Sequence, residues 1–231
     1  MLGAIFSSIG SVISGAVSGI GSALSSFSTG VGGVLGTLME SLKPLAKTVG
    51  NFANTFLQAL GILKPNESVE ELGERALQAA GQGITLGKFD DFDEYMAKLR
   101  DFELDPEVSE KRNPTEKLVA GLGICTVGVE DKCNTERGSL NGLWLLHLAN
   151  PAYFTPERMQ SLVETGRFSG DIFAYLEGRL SGGEARDFEK NLEADLPEDR
   201  LMELYENLDS AKSSWAETLK NAEAAKGNPA Q

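Results

Sequence analysis

MLGAIFSSIGSVISGAVSGIGSALSSFSTGVGGVLGTLME, residues 1–40, carries no charged side chain before Glu40. It is built almost wholly from large apolar residues and very small ones. The large ones recur as Leu2, Phe6, Ile9, Ile13, Val17, Ile20, Leu24, Phe27, Val31, Val34 and Leu38, and the series continues through Leu42, Leu45, Val49, Phe52, Phe56 and Leu60 to Leu63. The mean spacing along that series is about 3.6 residues, the repeat of an α-helix.

The faces left over carry glycine and serine where a surface helix would carry charge. Gly10, Ser14, Ser18, Ser22, Ser26 and Gly30 stand four apart, as do Ser7, Ser11, Gly15, Gly19 and Ala23. Small residues at that spacing flatten a helix so that another backbone can come close. Each interior glycine weakens the helix by roughly 0.5–1 kcal/mol relative to alanine. The segment therefore needs partners or lipid. Its own chain's core, a symmetric oligomer or tube lumen, and a bilayer all remain open to it, whereas a Gly/Ser linker would lack the apolar stripe. An unbroken helix over 2–39 would be about 57 Å long at 1.5 Å per residue, against a bilayer core of roughly 30 Å. In lipid it would fold as a hairpin or lie at the interface, with Gly30, Gly32 and Gly33 as the break. It does not read as a secretion signal, having no basic n-region and too long an apolar run, so it is expected to belong to the mature chain.

Charge separates this arm from the rest. The net charge of the 231 residues is −13; residues 1–63 hold Lys43, Lys47 and Glu40, a net of +1, which leaves −14 for residues 64–231. An acidic body without a basic stripe argues against nucleic acid as a direct ligand. The expected organisation is a small-residue-rich helical arm, 1–63, followed by an acidic helical body, 66–231, with 105–114 as the place where that body would divide. The fold class is mainly α: a long N-terminal apolar helix or helical hairpin, then a helical domain with one short β-hairpin.

Local signals place the helices. Pro44 interrupts the stripe, and Leu45 to Leu63 reads as an amphipathic helix ended by Gly61 and the turn Lys64, Pro65, Asn66. Ser68 with Glu71 three residues on is a capping box for a helix Val69 to Ala80. Asp90 to Phe102 follows, with Phe92, Tyr95, Met96 and Leu99 on one face. Glu107 to Arg112 reads as a solvated loop or short helix between Pro106 and Pro114. Thr115 to Gly123 begins as a helix, but GLGICTVGVEDKC, 121–133, is rich in β-branched residues and glycine and predicts the hairpin. Further helices are expected over Leu140 to Ala149, Pro156 to Thr165, Asp171 to Leu180 and Glu184 to Glu193, and from Pro197 to about Ala225.

Little of the chain looks chemical. Cys125 and Cys133 lie across the expected hairpin, where a disulfide and two buried thiols are both open; zinc would need ligands that one histidine cannot supply. His147, in LWLLHLANP, reads as a satisfied core residue. Glu130, Asp131 and Glu136 lie near the hairpin, and a carboxylate pair could cleave a glycoside, although a chain with 34 acidic residues produces pairs by chance. No P-loop, GxSxG or dinucleotide fingerprint is present. No catalytic residue, metal or cofactor is expected.

The run SSIGSVISGAVSGIGSALSS resembles the Gly/Ser/Ala-rich apolar helices of tailed-bacteriophage virion proteins, namely tail-tube and baseplate interior components, tape-measure ends and ejection proteins. It is similar in texture to the glycine-zipper segments of membrane-active toxins. The resemblance covers residues 1–63. It implies a non-enzymatic structural protein of a phage particle, a tail or baseplate component located in the virion, whose N-terminal helices assemble with copies of itself and other virion proteins and touch a membrane during genome delivery. Ile13, Val17, Ile20, Leu24 and Phe27 would supply the apolar seam and Gly10, Ser14, Gly15, Ser18, Gly19, Ser22 and Ser26 the close-packing face. The alternatives are a secreted pore-forming or membrane-permeabilising toxin and, further off, a cell-wall hydrolase using Glu130 or Glu136.

Overall fold

The computed structural model describes residues 46–136, 140, 143–149, 151–168, 172–176, 178–193 and 196–226. All the candidate assembly positions from Gly10 to Phe27 lie outside the described residues. Ten α-helices occur among those described: α1 (Ala46–Ala59), α2 (Val69–Gly81), α3 (Phe92–Arg100), α4 (Pro106–Lys111), α5 (Pro114–Cys133), α6 (Leu143–Ala149), α7 (Pro156–Glu164), α8 (Ile172–Leu176), α9 (Gly182–Glu193) and α10 (Glu198–Lys226). A 3₁₀ turn at Leu86–Lys88 joins α2 to α3. No strand is present among the described residues.

Several helices begin where their caps predict. The Ser68 hydroxyl accepts the Glu71 N–H at 3.1 Å and starts α2. Asp91 caps α3, Asp105 caps α4 ahead of Pro106, and Thr155 accepts the Arg158 N–H ahead of Pro156. The segment 107–112 thus resolves to the short helix. α8 ends earlier than its sequence suggests, because Gly178 turns left-handed (φ 67) and the Arg179 N–H folds back onto the Ala174 carbonyl.

The expected hairpin does not form. Residues 121–133 complete α5, a 20-residue helix with Asn113 as its cap, Pro114 in its first turn and Asn134 in the left-handed conformation (φ 52) at its end. Its glycines and β-branched residues suit a helix buried on nearly every side: Leu118 to Glu130 is buried without interruption. Such a helix has no solvent face, so the usual apolar period vanishes.

α5 packs most closely against α2. A Cβ added to Gly73 would overlap the Lys117 backbone and stand 2.6 Å from Gly121 N, and one added to Gly121 would overlap the Val69 carbonyl. Both positions must be glycine for the two backbones to touch. α1 lies across α7 and also meets α2, α5 and α6. Buried side chains from Val49 to Ala211 form one contiguous core. Residues 46–63, grouped by their stripe with the arm, therefore belong to the same core as the acidic body: Phe56 and Leu57 are wholly buried, with Val49, Phe52, Leu60, Ile62 and Leu63 beside them.

Candidate functional site

α1, which follows the apolar arm in the sequence, is seated among α2, α5, α6 and α7. Phe52 and Phe56 stack on one face of α1 with centroids 5.6 Å apart, and the Trp144 ring of α6 stands edge-on to both at 6.2 and 6.0 Å. Trp144 Nε1 donates to Thr126 Oγ1 at 2.9 Å, and that hydroxyl donates to the Leu122 carbonyl at 2.8 Å. The indole is thereby tied to α5. One turn along α6, the His147 ring lies flat on Phe52, 3.7 Å between centroids and 9° between planes. Its Nδ1 is 2.8 Å from the Phe154 carbonyl. A carbonyl only accepts, so Nδ1 carries a proton. Burial lowers the imidazole below its ordinary pKa, against a smaller upward pull from that carbonyl. His147 is thus neutral at pH 7, the satisfied core histidine its apolar surroundings predict.

A charged knot fastens α2 and the turn before it to α3 and α5. Arg100 donates from Nε to Glu67 at 2.8 Å and from Nη2 to the Ile62 carbonyl at 2.9 Å, holding the α1–α2 turn against α3. Burial works to raise the Glu67 carboxyl, but hydrogen bonds from Arg100 and the Lys64 N–H outweigh it and keep the group below its ordinary value. Arg75 Nη1 reaches the Arg100 and Phe102 carbonyls at 2.9 and 2.7 Å and so caps the end of α3. Glu74, buried beside the α2–α5 crossing, takes Arg112 at 3.0 Å, Lys117 at 3.7 Å and the Gln78 amide at 2.6 Å. None of these groups was singled out from the sequence. The Glu71–Arg75 and Glu74–Gln78 pairs at i,i+4 are local; the others join residues 25–43 positions apart, which no periodicity marks.

The cysteines do not form a disulfide. Both thiols are free, and eight residues within one helix separate their Cα atoms by about 12 Å, beyond the roughly 7 Å a disulfide spans. Cys125 is wholly buried, which pushes its thiol far up; Cys133 is pushed up to about 11 by burial, with the Glu130 charge adding to it. Neither is poised as a nucleophile. Glu130 is itself buried, its Oε1 accepting the Leu140 N–H at 3.1 Å, whereas Glu136 is exposed beyond the end of α5.

Clefts open on the surface of the described residues. One of about 520 Å³ is lined by Asp90, Asp91, Asp93, Asp131, Arg100 and Lys132 over a floor of Phe92, Met96 and Gly128. Another, about 360 Å³, lies between α7 and α9–α10, with Leu162, Leu192, Leu196 and Leu204 below Arg158 and Arg167. Among the described residues no group of three or more His, Cys, Asp or Glu side chains is placed to hold a metal ion, and no helix is long and apolar enough to cross a membrane. No family model, curated protein or solved structure matches the chain.

Proposed function

We propose that the protein is a non-enzymatic structural component of a phage particle, of the tail or baseplate, which assembles with copies of itself and with other virion proteins through residues 1–39 and brings that segment to a membrane during genome delivery. One observation carries the reading. A stretch of 39 residues without charge, with small residues four apart, runs within a few residues into α1, a helix seated in the body's core through Phe52, Ala53, Phe56 and Leu57. An arm joined to a buried helix transmits its packing to the whole body, as an assembly device requires. The acidic body favours solubility of the free subunit and repels phosphate. Small faces supply the close approach that lets several such helices bundle.

The test is the solution mass of the full chain beside a chain starting at Lys43, measured by light scattering without detergent. A defined multimer for the full chain and a monomer for the shorter one are expected. Replacing Gly15 and Gly19 together by Leu in the full chain should return it to the monomer with the helical content of the body unchanged. Monomers in both forms, with leakage of dye-filled vesicles caused by the full chain, would replace the virion reading with the membrane-permeabilising one.

A further inference from the structure

We propose that the Phe52–His147 stack is an acid-operated latch, which below neutral pH lets α1 lift from α6 while the α2–α5 crossing stays folded. The latch stands independently of the assembly reading. His147 is the only histidine in the chain, and it sits where an aromatic ring of α1, Phe52, lies face to face with a ring of α6.

The ring is buried, its Nδ1–H is committed to the Phe154 carbonyl, and Nε2 has no hydrogen-bond partner among the described residues. A second proton would therefore add a charge where water is scarce. The surroundings offer little to offset it. α1 brings only Lys47, exposed and more than a turn before Phe52; α5 brings Glu130, held by the Leu140 N–H; and the segment before α7 brings Tyr153, an uncharged phenol raised by burial. α10, also packed on α6, brings Glu206 and Asp209, both exposed, and Lys212, which is engaged by Glu189. No charged side chain among the described residues contributes to the shift of the ring. An imidazolium would gain a cation–π attraction to the Phe52 face, and that gain opposes release. Loss of hydration outweighs it here, since Nε2 meets no acceptor among the described residues that would take a second strong hydrogen bond.

The direction of the effect follows from linkage. The docked ring binds its proton less readily than a free imidazole, whose pKa is about 6.5. Docking is therefore at full strength above pH 6.5 and weakens as pH falls, by up to about tenfold in equilibrium constant per pH unit, until the docked ring itself titrates. The crossing of α2 with α5 has no such group: it closes on glycine backbones and on the Glu74 cluster.

Hydrogen exchange of the full chain between pH 7.5 and 5, corrected for intrinsic rates, tests the latch. Opening of 46–59 and 143–149 should rise roughly tenfold or more over that range, with 69–81 and 114–133 still protected. In His147→Gln, whose amide can still donate to Phe154 but never charges, the rise should vanish. The single histidine's NMR titration is the second measurement and needs no variant: it should fall below pH 6.5 in step with the opening. A ring titrating at or above 6.5, α1 protection that does not change, equal opening in wild type and His147→Gln, or simultaneous loss of α1 and the α2–α5 crossing would each overturn the proposal.

Discussion

Gly73 and Gly121 set the distance between α2 and α5. At each, the atom that an added methyl would strike is backbone rather than the end of a flexible side chain, so nothing nearby can turn aside. Gly121→Ala should force the helices apart and destabilise the fold by about 1–3 kcal/mol or more, the range seen when well-packed sites are overfilled. Gly81, at the end of α2, provides the contrast, because a Cβ there meets nothing within 4 Å. Gly81→Ala should stabilise by about 0.4–1 kcal/mol through the unfolded chain. Urea denaturation of the two variants beside wild type measures both. Destabilisation of similar size in both would mean that the crossing tolerates a methyl and that the small residues serve some purpose other than close approach.

α5 is the element whose reading changed most, and its cysteines report on it. In a hairpin Cys125 and Cys133 could face each other; in a helix they are two turns apart and differ in access. A thiol reagent at pH 8 should label Cys133 slowly, held back by half-burial and a pKa of about 11, and should leave Cys125 untouched until the protein unfolds. Unreduced protein with no titratable thiol, and a mass lower by two hydrogens, would contradict the helix. The reason the sequence misled at α5 is physical. Periodicity reveals a helix by contrast between a wet face and a dry one, and Leu118 to Glu130 has no wet face. Gly121 looked like strand because its true cause, the approach of Val69 and Gly73 from α2, lies some 50 residues away in the chain. The caps at Ser68 and Thr155 were legible because each acts within three residues of itself. His147 was legible as a core residue from its leucine neighbours. The Phe52 ring stacked on it and the Phe154 carbonyl that fixes its tautomer were not, and neither were the Glu67–Arg100 and Glu74–Arg112 pairs.

At the scale of the whole molecule, the division between arm and body falls within the apolar stripe and not at its end. The stripe from Leu2 to Leu63 is continuous in period, yet its last third has a known seat. Val49, Phe52, Phe56, Leu57, Leu60, Ile62 and Leu63 are buried in the common core, each contributing about 1.5–3 kcal/mol when withdrawn from water. Their sum rivals the 5–15 kcal/mol by which a typical domain is stable. A chain starting at Asn66 should therefore lose the common core while α2 stays paired with α5: it would leave Trp144 and His147 without the phenyl rings they pack on and uncover the α1 faces of α2, α5 and α7. A chain starting at Lys43 keeps every one of these contacts. Thermal unfolding followed by circular dichroism separates the two, with a cooperative transition expected for 43–231 and a broad, dye-binding state for 66–231. If instead 66–231 melts cooperatively at the same temperature as 43–231, then α1 is an accessory laid on a self-sufficient body. The stripe would then act as a single unit from Leu2 to Leu63, free to leave the body whole, and the arm's reach in any assembly would lengthen by those 18 residues, about 27 Å as helix.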